Sequence, residues 1–558
     1  MKVRSDILRV YRSLHTWVGI SAGLLLFIGF FAGALTMFKQ PLDRWTSAPQ
    51  QRLAFVDEAE RDLLVSQLLE KHPAARGEFT LYLQPQENIS APVVWSEAEG
   101  GRELAISSPR WQATLDANGQ LQSEQIMPSL LGDLVDMLHR TGGIPGFLTD
   151  EYLGVYVLGV AGVMYFLALV SGLILLLPTL VKDFFALRPG KNRKRFWLDA
   201  HNIIGITSLP FHIVISLTVI VFAFHDQFYD GLAEVVYKEQ PMFTPPAAPS
   251  ESYVLAEMLP PSELIKRLQA EAPEYQVSDL LYMRLETPRP MVRATIVNTA
   301  QMVHGPIGGY LGINPYTGAI TNTSMLPEKA DIWSALASSF FALHFGSYGG
   351  DLVRWVYFLL GLSGAFLFYS GNLLWVESRR KHQRGQQLVT QARNIHWMAA
   401  ATVGVCLGSI LGVAIAMIGG KWLYAHVDNI NHGYLWIYYG VFLSAVAWAF
   451  WQGAARGAVH LLLACAVASS AIPLTSLIAI LFPSSGLWAY TSTASLAVDA
   501  TALVFALVFL WLAKLTWRRA HKGAGDSVWA VNAEVKDHPE TISAISPVPK
   551  SLDDALSD

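Results

Sequence analysis

The chain has 558 residues, of which 52% are hydrophobic and only 15% are charged. This balance excludes an ordinary soluble multidomain protein and is typical of a membrane protein. The formal net charge of −4 is small, and we expect a lipid bilayer but no nucleic acid among the partners. The two cysteines, Cys406 and Cys465, lie in apolar runs, which excludes a disulfide framework.

Apolar runs of about 18 residues or more predict eight membrane-spanning helices. In chain order they cover residues 14–38, 152–177, 201–224, 352–376, 395–418, 434–451, 458–482 and 494–515. The first run is too long for the core of a cleaved signal, so we expect an uncleaved anchor. Lys and Arg concentrate before it, in the loops at 182–195 and 377–387, and after residue 516. The positive-inside rule then predicts that both termini are cytoplasmic.

The first half of the chain repeats one layout, in which a span, a large outer segment and a return span occur twice. His-x-x-x-Gly opens the first unit at His15 and the second unit at His201. Before the return spans, "MLHRTGG" with His139 parallels "ALHFGSYGG" with His344. Each outer segment mixes alternating stretches with charged helical runs, and "LDANGQL" in one parallels the turn "INPYTGAI" in the other.

These patterns predict a polytopic, all-α membrane core, duplicated in its first half, with two small outer α+β domains. The expected parts are an anchor at 1–39, an outer domain at 40–150, spans two and three at 151–225, a second outer domain at 226–351, span four at 352–380, a bundle of spans five to eight at 395–516 and a disordered tail at 517–558.

The histidines are the candidate functional residues. His201 and His212 are 11 residues apart, which on one helix is about 16 Å with nearly the same azimuth, so one face offers imidazoles at two depths. A lone histidine at a membrane interface is more often a polar surface residue, but repetition and burial favour ligation. The sequence predicts bis-histidine ligation of non-covalent haem b. The candidate ligands are His15, His139, His201, His212 and His344, with His396 as an additional candidate.

Three long stretches carry a family resemblance: "LHTWVGISAGLLLFIGFFAGALTMF", "DFFALRPGKNRKRFWLDAHNIIGITSLPFH" and "ALHFGSYGGDLVRWVYFLLGLSGAFLFYSGNLLW". Over roughly residues 10–380 the chain resembles the PepSY-associated transmembrane family, iron-regulated inner-membrane proteins of bacteria. The resemblance implies PepSY-like periplasmic domains, two b-type haems and reduction of ferric siderophores. It implies His15 and His201 for the inner haem, and His139, His212 and His344 as the pool for the outer haem.

The expected activity is therefore that of an oxidoreductase, a reductase of ferric siderophores or other ferric chelates. No GxGxxG follows a strand and no P-loop occurs, so we expect a separate electron donor, either a flavoprotein or the quinol pool. Two alternatives stay open. One is a permease for iron chelates or peptides, and the other is a PepSY regulatory or protease-inhibiting membrane protein; neither needs haem.

Overall fold

The structure is a computed structural model that describes residues 4–49, 52–85, 89–97, 110–148, 151–183, 187–188, 193–238, 253–298, 308–381 and 389–531. The helices are α1 (Ser5–Thr36), α2 (Lys39–Thr46), α3 (Arg61–Lys71), α4 (Leu131–Thr141), α5 (Leu153–Leu176), α6 (Leu180–Asp183), α7 (Arg193–Thr207), α8 (Leu209–Leu232), α9 (Pro261–Glu271), α10 (Ile332–Phe345), α11 (Gly350–Arg379), α12 (Arg393–Trp422), α13 (Ile430–Leu481) and α14 (Thr493–Lys522). The strands are β1 (Glu78–Tyr82), β2 (Val93–Ser96), β3 (Arg110–Leu115), β4 (Leu121–Ile126), β5 (Phe147–Leu148), β6 (Glu151–Tyr152), β7 (Gln276–Met283), β8 (Met291–Val297), β9 (Gly309–Ile313) and β10 (Ile320–Asn322).

Long apolar helices dominate the fold. Within the described residues, seven helices are long and apolar enough to cross a membrane, and they are α1, α5, α8, α11, α12, α13 and α14. Because a bilayer core is about 30 Å thick, helices of about 20 apolar residues are required to span it. The prediction of a helical, multi-pass membrane core is confirmed.

Helix α13 accounts for two of the predicted spans. It has 52 residues, which would measure about 78 Å if straight, far more than the bilayer core. The helix turns back at Gly453, whose φ of 72° and ψ of 162° are not helical. Trp448 Nε1 donates to His460 Nδ1 at 3.2 Å, a contact between residues twelve apart that a straight helix cannot make. The two arms therefore run antiparallel and contain the sixth and seventh predicted runs.

The third predicted span differs from the expectation of one continuous helix. The structure has α7 up to Thr207, an interruption at Ser208 and α8 from Leu209. Pro210, at the start of α8, explains the interruption, because proline lacks the N–H and disfavours helical geometry in the residues before it. His201 and His212 thus lie on two successive helices, and α8 continues to Leu232, beyond the predicted boundary at 225.

Helices α1 and α11 pack closely and antiparallel in the centre of the duplicated half. A Cβ placed on Gly361 would lie 2.9 Å from Ala34 Cβ, and one on Gly364 would lie 2.2 Å from Phe30 Cδ1. At the opposite end of the contact, Gly23 faces the Asn372 side chain. Small residues allow helices to approach closely in a membrane, so these glycines set the distance between the two repeats.

The two outer segments form one continuous sheet, which corrects the expectation of two separate α+β domains. The strand order is β10-β9-β8-β7-β1-β2-β3-β4, with every neighbouring pair antiparallel. Each segment supplies a four-stranded half, and β1 pairs with β7 at the junction. There the rings of Phe79 and Tyr282 stack with their centroids 4.4 Å apart. Separate edge strands at β1 and β7 would expose unpaired backbone groups, and their pairing removes both edges.

A single apolar core covers one face of this sheet. Helices α3 and α9 contribute repeat-related leucines, Leu64 and Leu68 from one and Leu264 and Leu268 from the other, all fully buried. The two helices are joined by Asp62, whose carboxylate accepts hydrogen bonds from the Ser262 N–H at 2.9 Å and the Ser262 hydroxyl at 2.6 Å. The duplicated segments therefore share one core.

The C-terminal bundle α12–α14 is tied to the first half at both ends. At the sheet end, Lys421 is 2% exposed; its Nζ donates to Trp488 O at 2.9 Å and lies 3.6 Å from the Trp45 ring centre. Trp45 Nε1 in turn donates to the Asp499 carboxylate at 2.9 Å. Buried charges inside a membrane bundle need such partners.

At the other end, the residues after α14 are ordered, contrary to the expected disordered tail at 517–558. Helix α14 continues to Lys522, Val528 and Trp529 are buried, and Asp526 forms an ion pair with Arg380. The remaining predicted tail, 532–558, lies outside the described residues.

The bend at Gly453 generates the first prediction. A Cβ there would meet no atom within 4 Å, so Gly453→Ala adds backbone strain alone, of about 1–3 kcal/mol. We expect a lower thermal midpoint in detergent. Gly440→Ala is the matched control, because Gly440 is in the helical part of α13 with equally open space, and it should leave the midpoint unchanged or raise it. Equal midpoints for both variants would contradict the strained bend.

Candidate functional site

The structure brings four of the predicted histidines together as two pairs. In the first pair, His15 of α1 and His201 of α7 have ring centroids 6.3 Å apart, with the ring planes 84° apart. In the second pair, His139 of α4 and His344 of α10 have ring centroids 6.0 Å apart, with the planes 36° apart. Each pair joins one histidine of the first repeat to its counterpart in the second.

Short helices with glycine caps position the second pair. Gly142, three residues after His139, caps the C-terminus of α4. Gly346, two residues after His344, caps the C-terminus of α10. Both glycines have φ near +60°, the left-handed conformation that terminates a helix and that glycine adopts without steric cost. The parallel sequences "HRTGG" and "HFG" thus place a histidine in the last turn of a helix in both repeats.

In the first pair, both Nδ1 atoms are held by hydrogen bonds. His15 Nδ1 lies 2.8 Å from Ala168 O, and a carbonyl only accepts, so Nδ1 carries the proton. His201 Nδ1 lies 2.9 Å from Ser370 Oγ, whose own hydroxyl lies 3.1 Å from Leu367 O and donates to it. The serine oxygen therefore accepts from Nδ1–H. Nε2 of both rings is left with its lone pair.

The second pair repeats this arrangement with different partners. His139 Nδ1 donates to Gly29 O at 2.8 Å. His344 Nδ1 lies 2.7 Å from Thr218 Oγ1, which donates its own hydrogen to Val214 O at 2.8 Å. An Nδ1–H held in this way fixes the tautomer and the ring orientation and makes Nε2 a better metal ligand. All four rings meet this requirement.

The spacing of the rings suits haem. An imidazole nitrogen binds a transition metal at about 2.0 Å and lies about 1.1 Å from its ring centre, so two imidazoles on opposite sides of one iron have centroids about 6 Å apart. Both pairs have this separation. Among the described residues, no group of three or more His, Cys, Asp or Glu side chains is arranged to hold a metal ion. Two-histidine sets fit a metal whose other ligands come from a porphyrin.

Glycines adjoin the rings where a side chain would collide with them. A Cβ on Gly33 would lie 2.6 Å from His139 Nδ1, and one on Gly172 would lie 3.0 Å from His15 Cε1. Gly371 is the repeat counterpart of Gly172, and a Cβ on it would lie 3.8 Å from His201 Cε1. The pairs Ser171-Gly172 and Ser370-Gly371 therefore form a repeated Ser-Gly motif beside the first pair.

His212 occupies a different environment from the four paired histidines. It is completely buried, neither ring nitrogen has a hydrogen-bond partner, and its neighbours are the rings of Phe30, Tyr165 and Phe211 at 5.3–5.9 Å. Phe30 is next to Gly29, and Tyr165 is three residues before Ala168, so this cluster lies between the two pairs. In the described part of the chain no histidine ring packs against His212, and its role as a ligand stays a prediction.

His396, the additional candidate, is half-buried in the first turn of α12. Among the residues that the structure describes, no other histidine ring contacts it. His225 Nε2 lies 3.1 Å from a carboxylate oxygen of Asp226, the next residue in the chain. Neither residue belongs to the paired set.

Asp199 anchors the helix that carries His201. Its side chain is 1% exposed and accepts from Arg188 Nε at 2.9 Å and Nη2 at 2.8 Å, with Arg195 Nε at 3.2 Å. Burial alone would raise the pKa of Asp199, but the hydrogen bonds and charge of Arg188, together with the charge of Arg195, lower it below its ordinary value. The contact between Asp199 and Arg188 joins the "LDAHN" motif to the "RPGK" motif. It fixes α7 at a residue two positions before His201.

The residues that orient the rings were not among the predicted site residues. Neither Ser370 nor Thr218 can be recognised from the sequence, because membrane helices contain many Ser and Thr residues. The repetition of Ser-Gly in "SGLI" and "SGNL" was the available signal for Ser171 and Ser370. Gly29 and Ala168 act through backbone carbonyls, so no residue type could indicate them.

Comparison with known families supports the first half of the fold. The family profile described as the PepSY-associated TM region matches residues 12–378. The chain belongs to this family. A search of curated proteins found no match. In this PepSY-associated TM protein all four paired histidines fall inside the matched residues, whereas α12–α14 lie beyond them.

Asp199 gives a prediction that needs no cofactor. Asp199→Asn should lower the stability at neutral pH by about 1–2 kcal/mol, because Arg188 is partly exposed and solvent screens part of the loss. The pKa of the Asp199 carboxyl is lowered in the folded state. Its contribution to the free energy of unfolding is therefore present at pH values above the ordinary pKa of an aspartate and is lost as the pH falls from there through the lowered pKa.

Thermal midpoints measured from pH 8 down to acid should therefore show a constant difference between wild type and Asp199→Asn that shrinks only at the acid end. Asp6→Asn is the control, because the Arg4–Asp6 pair is largely exposed and should contribute little. A similar loss in both variants would refute the anchoring role.

Proposed function

We propose that this PepSY-associated TM protein is a di-haem b electron-transfer protein of the bacterial inner membrane. It reduces ferric siderophores or other ferric chelates in the periplasm with electrons from the cytoplasmic side or from the quinol pool. The observation that carries the proposal is the set of four histidines in two repeat-related pairs, each with Nδ1 engaged and centroids about 6 Å apart.

The charge distribution supports the orientation. Arg4, Arg9 and Arg12 open α1, and Arg379 and Arg380 close α11 at the same end, because the two helices are antiparallel. Arg518 and Arg519 close α14. By the positive-inside rule this end is cytoplasmic and the sheet is periplasmic. His15–His201 is then the inner pair and His139–His344 the outer pair.

The protein's part in the reaction is to hold and insulate the redox groups. Haem b, when bound, takes up and releases one electron at a time. The inner and outer pairs would bind it, their Nδ1 partners keep Nε2 unprotonated, and buried helices exclude water. Reduction of Fe(III) to Fe(II) weakens the attraction of the chelate's oxygen ligands for iron, which favours release. No nucleophile or general base is required.

Haem content distinguishes the proposed reductase from its two alternatives. A permease for charged iron chelates or peptides needs a polar path, whereas the large cavity of the core is lined mainly by apolar side chains. A regulatory or protease-inhibiting role requires neither paired histidines nor buried acceptors for their Nδ1 atoms. Both alternatives predict a protein without haem.

The ligand assignment predicts a pattern of haem loss. His15→Ala and His201→Ala should each remove one haem of two, and His139→Ala and His344→Ala should remove the other, counted by a pyridine haemochrome assay on purified protein. His212→Ala tests whether His212 is also a ligand of the outer haem: loss of that haem would keep His212 in the ligand set, and two retained haems would remove it. A wild-type protein without haem after expression with adequate supply would refute the reductase proposal, and two haems retained in His201→Ala or in His344→Ala would refute the pairing.

The hydrogen bond from His201 predicts a separate effect. Ser370→Ala should keep both haems but bind the inner one about 10–100-fold less tightly, with a more positive midpoint potential for that haem, because Nδ1–H loses its acceptor. Redox titration monitored in the visible spectrum measures the potential. Ser363→Ala on the same helix is the control, since the Ser363 hydroxyl bonds only within its helix, to Leu360 O. Identical potentials in the two variants would contradict the role of Ser370.

A further inference from the structure

A cavity of about 1420 Å³ lies between the duplicated half and the C-terminal bundle. Helices α1, α7 and α11 form one wall, and α12, α13 and α14 form the other. Phenylalanines and small aliphatic residues make up most of the lining, including Phe31, Phe358, Phe366, Phe505 and Phe509. The volume exceeds the upper range of about 300–1,000 Å³ that drug-sized ligands need, so the space suits a ligand with a long hydrocarbon chain.

The cavity adjoins the inner histidine pair. Trp197 and Ala200 of α7 line it, and Ala200 immediately precedes His201. Tyr369 of α11 also lines it and immediately precedes Ser370, the residue that accepts the His201 hydrogen bond. A molecule in this part of the cavity would contact Ala200 and Tyr369, the residues next to His201 and Ser370 in the chain. A redox-active ligand would therefore be close to the site where electrons must enter.

The inner end of the cavity is polar. Tyr369, Thr516 and Arg519 belong to the lining there. Arg519 Nη2 donates to the Glu377 carboxylate at 2.6 Å, and its guanidinium lies 5.4 Å from the Trp529 ring centre. Because these groups are near the basic ends of α11 and α14, a polar head bound here is next to the cytoplasmic aqueous phase.

The arginine at the inner end of the cavity favours a neutral head over a phosphate. Arg519 is paired with Glu377, and Arg354 donates to Met37 O at 2.8 Å and to Asp351. Arg44, near the sheet end of the cavity, has its guanidinium carbon 3.6 Å from the centre of the Tyr490 ring, and its Nε has no hydrogen-bond partner. A phospholipid would need a cation available for its phosphate. At the inner end Arg519 is already paired with Glu377, and the hydroxyl groups of Tyr369 and Thr516 match a neutral ring with two hydroxyls.

We propose that this cavity binds an isoprenoid quinol and that the quinol is the electron donor to the inner histidine pair. The inference rests on the proposed function and names its donor. Oxidation of one quinol to the quinone breaks two O–H bonds and releases two protons to the cytoplasmic aqueous phase. The two electrons reduce two ferric chelates, in succession, to the ferrous state. The C-terminal bundle, which lies outside the family match, thus has the function of completing a quinol site.

The test measures binding to the full chain purified in mild detergent. Bound isoprenoid quinone should be extracted at about one per chain, and added decylbenzoquinone should raise the thermal midpoint, as for any ligand that binds the folded state. Ala458→Phe fills the inner part of the cavity and should weaken decylbenzoquinone binding at least about tenfold. Ala447→Phe is the matched control, on the exposed face of the same helix, and should bind as wild type.

A second measurement guards against misfolding of Ala458→Phe. A photoreactive azidoquinone added to wild type should label lining segments such as residues 403–417 and 494–519. Equal binding by Ala458→Phe and Ala447→Phe, labelling confined to other segments, or extraction of phospholipid alone would overturn the quinol site.

Failure of this site can be told apart from failure of the proposed function. Protein reduced with dithionite and then mixed with ferric citrate tests chelate reduction without any quinol. If it reduces the chelate but does not bind decylbenzoquinone, the quinol site is wrong and the reductase stands. If purified protein has no haem, the reductase is wrong, and the binding of decylbenzoquinone still decides whether the cavity is a quinone site.

Discussion

The hydrogen bonds from Nδ1 of four histidines connect the helices of the duplicated half. Each bond joins a histidine on one helix to an acceptor on another: α1 to α5, α7 to α11, α4 to α1 and α10 to α8. In a bilayer an imidazole without partners is costly, so these bonds both stabilise the helix contacts and decide which nitrogen is available to a metal. Helix packing and ligand chemistry depend on the same four contacts.

The duplication of the first half explains why the histidines occur in pairs. An approximate twofold relation between repeats brings equivalent residues together across the axis, as an isologous interface does between subunits. The relation also appears outside the membrane, where β1 meets β7 and α3 meets α9 over a shared core. The two sheet halves are joined by backbone hydrogen bonds, so the duplicated segments form one unit.

The C-terminal bundle is built by other means. The reversal at Gly453 lets one helix cross twice. The bundle is fastened to α2 by the contacts of the buried Trp45 with the buried Lys421 and with Asp499. The Glu377–Arg519 pair fastens it to α11 at the other end. Between these two attachments the helices separate enough to leave the large cavity beside the inner histidine pair. The bundle therefore covers a surface of the duplicated half that would otherwise face lipid.

Local patterns in the chain were sufficient for the membrane class, the positions of the apolar spans, the duplication and four of the histidines that pair. Those features depend on composition and on short repeated motifs, which are properties of neighbouring residues. The single sheet was out of reach, because pairing between β1 and β7 joins residues about 200 positions apart. The interruption at Ser208 divides the predicted third span, so that His201 and His212 lie on two successive helices. The carbonyls of Gly29 and Ala168, the Asp199–Arg188 contact and the cavity exist only once helices pack, since each depends on atoms from separate segments meeting in space.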